Sequence, residues 1–137
     1  TSNFAKTADT AVANITGLSV YVDAGKAYTF EVGLFITPDN TGGYKVCMGG
    51  AATASSIHYQ VLVFKNSTPG AFSQAATFSW LGGRAGTGGS VGTNQLWIEI
   101  KGTILVNVAG TLTAQFAQQI NSGTSTVLAD SYIILHQ

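Results

Sequence analysis

Two glutamates, Glu31 and Glu99, are the acidic residues set inside otherwise well-formed apolar alternations. A carboxylate pair of this kind could do the acid–base work of glycoside hydrolysis, one group protonated and the other ionised. The plainer expectation is an ion pair across a sheet with Lys26, Lys45 or Lys101. Two histidines are available for proton transfer or metal ligation: His58 lies inside a strand-like run and His136 is next to last. Neither falls in an HExxH or CxxC pattern, and Cys47 is the single cysteine, so no transition-metal motif is present. Asp39 and Asn40 could join a calcium loop, but calcium takes six to eight oxygens. A turn held by side-chain bonds to backbone fits the PDNTGG segment better. No cofactor is expected.

GGRAGTGGSVG (Gly82 to Gly92) holds six of the 17 glycines. It lacks the GxxxxGK[ST] spacing that cradles phosphate, and no helical pattern follows it. Arg84, within it, suits a bidentate contact to a carboxylate. Tyr44 and Trp80 lie near loops and could stack on a sugar ring, so Tyr44, Trp80 and Arg84 are the candidate ligand contacts. Such aromatics also build cores and interfaces. Asn14 and Asn66 match the glycosylation pattern, which carries little weight without a secretory signal.

The elements that must position these groups are strands. LSVYV, AYTFEVGLFI, YKVCMG and IHYQVLVF read as strands separated by turns such as DAGK and PDNTGG. Tyr28, Phe30, Val32, Leu34 and Ile36 share one face, as do Ile57, Tyr59, Val61 and Val63. Pro38 closes the first of these runs. AFSQAATFSW suggests a strand from near Ala76, with a helical turn at Gln74–Ala76 as the alternative. Leu96 to Val108 reads as two strands broken near Gly102. Leu112, Ala114 and Phe116 continue the alternation, although Phe116 and Ile120 also have helical spacing. TVLADSYIILHQ supplies two short strands or one bulged one. The first dozen residues show no period and read as an arm, leaving residues 13–137 as one all-β domain, a sandwich or barrel.

Composition narrows the function classes. Six basic residues balance six acidic ones, which gives nucleic acid or an anionic membrane no purchase. No apolar run reaches the ~18 residues of a membrane helix, so no membrane insertion is expected. Only 9% of residues are charged, against about 25% in ordinary soluble domains. Such a surface is weakly protected against self-association. Phe35, Leu62, Phe64, Trp97, Leu105, Ile133 and Leu135 lie opposite the better-marked apolar sets, on what should be wet faces. Burying seven such side chains is worth on the order of 10–20 kcal/mol, against an association cost of about 4–15 kcal/mol. These seven are the expected oligomer interface.

The segments GTLTAQFAQ (Gly110 to Gln118), LADSYIILHQ (Leu128 to Gln137) and LSVYVDAGKAYTFEVGLFI (Leu18 to Ile36) resemble strands of jelly-roll domains in virion proteins of tailed bacteriophages. The resemblance implies an antiparallel jelly-roll β-sandwich of tumour-necrosis-factor-like or C1q-like form, assembled as a homotrimer. It implies a structural virion protein, either a capsid decoration or a tail-fibre component, with a capsid or tail protein of the same particle as partner. It brings no catalytic residues. A module binding carbohydrate or a cell-surface glycan receptor, and an enzyme using Glu31 and Glu99, are the alternatives.

Overall fold

The structure, a computed structural model, describes residues 2–65, 72–78 and 95–137. Among them are strands β1 (Phe4–Thr7), β2 (Ala13–Val22), β3 (Ala27–Thr37), β4 (Lys45–Gly49) and β5 (Thr53–Lys65). They continue with β6 (Phe72–Phe78), β7 (Leu96–Val108), β8 (Gly110–Ala117), β9 (Thr124–Val127) and β10 (Tyr132–His136). The chain is all-β, and it forms two antiparallel sheets. The larger, of seven strands, runs β1-β9-β3-β7-β5-β6, with β10 also paired to β3. The smaller runs β2-β8-β4.

Period-two alternation is what builds the core. Tyr28, Phe30, Val32, Leu34 and Ile36 of β3 are buried, as are Ile57, Tyr59, Val61 and Val63 of β5. They join Leu96, Ile98, Ile100, Ile104 and Val106 of β7 in one cluster with Leu18, Val22, Val46, Met48, Leu112 and Phe116 of the smaller sheet. Each such side chain contributes about 1.5–3 kcal/mol of burial, so this cluster dominates the favourable side of folding. β2 reaches it with a register shift between Asn14 and Ser19, where Gly17 takes φ 85°. The bulge lets Ile15 and Leu18, three apart in sequence, both point inward.

Several local expectations give way to tertiary context. β7 is unbroken through Gly102, which lies in register between Phe30 of β3 and Tyr59 of β5. Those two rings close over the glycine with centroids 6.2 Å apart. The missing side chain makes room for aromatics rather than for a turn. β6 begins at Phe72, earlier than the expected Ala76, and is extended where a helical turn was the alternative. Phe116 is buried while Ile120 is exposed, so the two do not share a helical face. Part of the expected arm, Phe4–Thr7, is β1, paired with β9 through Phe4↔Val127 to Thr7↔Thr124. The final segment does split into two strands, β9 and β10, both lying along β3.

A buried polar cluster fastens the loops at one end. Gln118 has no exposed surface; its Oε1 accepts the Asp9 amide at 3.0 Å and its Nε2 donates to the Ser122 carbonyl at 2.6 Å. Ser125, equally buried, accepts the Asp39 amide at 2.8 Å and donates to the Gly43 carbonyl at 2.7 Å. The Asp39 carboxylate accepts the amides of Thr41 at 2.9 Å and Gly42 at 2.7 Å. This is a side-chain-stabilised turn. Among the described residues, no buried side-chain nitrogen or oxygen lacks a hydrogen-bond partner.

Candidate interaction surface

The outer face of the seven-stranded sheet carries the residues whose presence on a wet surface most needs explaining. Antiparallel register sorts them into rows across β3, β7 and β5. Phe35 pairs with Trp97 and Trp97 with Phe64; Gly33 pairs with Glu99 and Glu99 with Leu62. Glu31, Lys101 and Gln60 form the next row, then Thr29, Thr103 and His58. Leu105 ends the series between Ala27 and Ser56. β10 extends three rows, placing Tyr132 beside Gly33, Ile134 beside Glu31 and His136 beside Thr29.

One end of this face is an aromatic ridge. The Phe35 and Trp97 rings have centroids 4.3 Å apart, and Trp97 and Tyr132 are 5.9 Å apart. Both pairs are tilted, the first closely packed and the second at the separation of a favourable aromatic pair. Gly33 makes the ridge possible: a Cβ there would overlap the Trp97 ring and come within 2.5 Å of Tyr132. The two rings therefore lie down over the glycine backbone. Phe35, Leu62, Phe64 and Trp97 are each only partly covered.

The middle is charged and the far end is hollow. Lys101 Nζ lies 3.0 Å from Glu99 Oε1 and 3.6 Å from Glu31 Oε1. The hydrogen bond that Lys101 donates to Glu99, with both carboxylate charges, holds the Lys101 ammonium above its ordinary range. Of the three lysines expected as partners for Glu31 and Glu99, Lys101 is the one in contact. Glu31 and Lys101 of this row, with His136, border a depression of about 380 Å³ over Thr29, Gly102 and Thr103. A second depression, of about 290 Å³, continues from Thr29 and Thr103 to Ala27, Ser56 and Leu105. Leu105 is 42% exposed there.

The seven residues expected at an interface do not all share this face. Phe35, Leu62, Phe64, Trp97 and Leu105 do. Ile133 and Leu135 pair with Val32 and Phe30, both core residues, and pack against the buried cluster. Their parity was misread because the turn at Leu128–Ser131 resets the alternation before β10. There the Phe35 amide donates to Ser131 Oγ at 3.0 Å and the Ser131 amide to the Leu128 carbonyl at 3.1 Å. Tyr132 and Ile134 take the outward places instead, beside Gly33 and Glu31. Sequence reasoning missed Tyr132 and Gly33. The available signal was the aromatic parity of Phe35 and Trp97 with a glycine two residues before Phe35.

The candidate ligand contacts separate. Tyr44 is fully buried in the core cluster, where a sugar ring has no approach, so its stacking role is corrected to packing. Trp80 and Arg84, with the glycine-rich segment around them, lie outside the described residues. His58 and His136 are exposed on the outer face. Among the described residues, no group of three histidine, cysteine or acidic side chains is placed to hold a metal ion.

The outer face of the smaller sheet is of another kind. Gln115 Nε2 donates to Asn14 Oδ1 at 2.8 Å, Cys47 Sγ donates to Gln115 Oε1 at 3.2 Å, and the Ser19 and Thr113 hydroxyls meet at 2.8 Å. These polar groups are satisfied by one another. Burial pushes the Cys47 thiol up to about 12, against a weak opposing pull from Lys45. Cys47 should therefore resist alkylation at pH 8 for as long as the chain is folded. Labelling with a maleimide across a urea titration should follow the unfolding curve; rapid labelling in buffer would contradict the burial. Comparison with protein-family models, with curated proteins and with solved structures gives no match.

Proposed function

We propose that this protein is a structural subunit that works by self-association through the outer face of its seven-stranded sheet. The observation that carries the reading is the aromatic ridge of Phe35, Trp97, Phe64 and Tyr132, with Leu62 beside it, each side chain half-exposed on the outer face of the sheet. Interface cores are enriched in aromatic residues and poor in charge. The ridge has that composition, and the Glu31–Lys101–Glu99 group beside it is internally paired. With zero net charge, nothing keeps two copies apart.

The strand order supports a jelly roll as the underlying topology. The interleaving of β1-β9-β3-β7 in one sheet with β2-β8-β4 in the other favours that reading, while the β5–β6 hairpin extends the larger sheet beyond β7 instead of joining β4. A jelly roll that assembles as a homotrimer, serving as a decoration or fibre component of a virion and docking on a capsid or tail protein, is the role this reading proposes. Sedimentation velocity at micromolar concentration tests the central part. A trimer is expected, with Trp97→Ser shifting the distribution toward monomer while far-ultraviolet circular dichroism is unchanged. A wild-type protein that sediments as a monomer overturns the reading.

A further inference from the structure

The outer face of the large sheet is not uniform, and its two ends complement each other. At about 3.3 Å per strand residue, Trp97 on the ridge and Thr103 in the hollow are roughly 20 Å apart along β7. The ridge stands proud because four aromatic rings lie on it. The hollow is recessed because its floor is Thr29, Thr103 and Gly102, with Ala27 and Ser56 at its margin. Its one large apolar side chain, Leu105, is 42% exposed.

We infer that the aromatic ridge of one copy seats in the Thr29–Thr103 hollow of a neighbouring copy. The inference rests on the self-association proposed above and specifies its contact. Ridge against ridge would bring together the Glu31–Lys101–Glu99 groups of both copies, each with two carboxylates on one lysine, and their excess negative charges are unfavourable on leaving water. It would also leave Leu105 and the hollow uncovered. Ridge into hollow moves Glu99 to the end that carries His58 and His136, covers Leu105 with aromatic carbon, and fills the depressions with rings. The face has room for this. Four strands spaced ~4.8 Å apart over nine residues project roughly 500 Å². Its accessible area is larger because side chains stand off the sheet, in the range of the ~800 Å² per partner of a standard interface.

Cysteine cross-linking distinguishes the arrangements, because fully buried Cys47 contributes no reactive thiol. Leu62→Cys marks the ridge and Thr103→Cys marks the hollow. Mixing the two single variants under mild oxidation should give a disulfide-linked pair, while each variant alone stays unlinked. Self-linking of Leu62→Cys alone would mean ridge on ridge and overturn the inference. Sedimentation as an oligomer with no cross-link in the mixture overturns it too, yet leaves self-association standing. Sedimentation as a monomer removes both. As a second readout, Thr103→Trp fills the hollow from within and should weaken association by about tenfold or more, whereas Thr103→Val should not. Unchanged association of Thr103→Trp counts against the seating.

Discussion

Replacing Gln118 with leucine should lower the unfolding free energy by about 3–5 kcal/mol, the largest single loss expected from any polar side chain among the described residues. The side chain is fully buried and ties two other segments to β8's end: it accepts the Asp9 amide and donates to the adjacent Ser122 and Gly123 carbonyls. Leucine fills much of the same space but leaves these backbone groups without partners, at about 1–3 kcal/mol for each orphaned group. Urea unfolding followed by tryptophan fluorescence measures the loss. With a slope of roughly 1.5 kcal/mol/M, the midpoint should fall by ~2 M or more. Gln118→Glu adds a sign test. A carboxylate facing two carbonyl oxygens is disfavoured, so its folded-state pKa must rise above the unfolded value of about 4.3. The protonated form can still donate, so this variant should be least impaired below about pH 4. Its deficit should grow as pH rises through that range toward the raised folded value. A midpoint within 0.5 M or so of wild type for Gln118→Leu would show that the cluster is dispensable.

Gly102→Ala should cost about 2–3 kcal/mol although it adds one methyl group. The new Cβ would overlap the His58 carbonyl oxygen and lie 2.5 Å from Tyr59 Cβ and 2.7 Å from Tyr59 Cα. Both neighbours belong to the adjacent strand, whose position is fixed by pairing from Ser56↔Leu105 to Lys65↔Leu96. Backbone cannot swing aside as a flexible side chain can, so β5 and β7 must separate locally or the Phe30–Tyr59 packing must open. At about 2–4 °C per kcal/mol for a chain of this size, calorimetry should show a Tm lower by roughly 5–10 °C. Gly25→Asn is the control. Gly25 has open space around its would-be Cβ and a φ of +73°, which asparagine tolerates better than most residues. Equal losses for the two substitutions would refute the steric account of Gly102.

What the sequence displays well is the part governed by local alternation. The inward faces of β3 and β5, the end of β3 before Pro38 and the turn at Gly25 can all be read without knowing which strands pair. What it hides is set by partners far along the chain. Gly102 resembles a strand break until Phe30 and Tyr59 are seen flanking it. Ile133 and Leu135 appear outward until pairing with Val32 and Phe30 fixes their parity. Tyr44 sits beside a glycine loop, yet it belongs to the core. Gln118 has no local mark at all; its partners lie 109 residues upstream at Asp9 and a few residues downstream. Of the outer face of the large sheet, the outward placing of Phe35 and Trp97 was legible. Its division into ridge and hollow was not, because that depends on which rows of three strands align.

β3 is flanked on one side by β7 and on the other by β9 and β10, strands made roughly a hundred residues later. Sheet closure therefore joins the two ends of the chain, with Phe4 against Val127. A topology so rich in non-local pairing folds slowly, on a millisecond-to-second scale. During synthesis that edge of β3 waits for β9 and β10, which follow it roughly a hundred residues later. An incomplete chain would hold Phe30, Val32 and Leu34 with one bare strand edge, a species prone to aggregate. Removing β9 and β10 should therefore give insoluble material even though β2 to β8 are present.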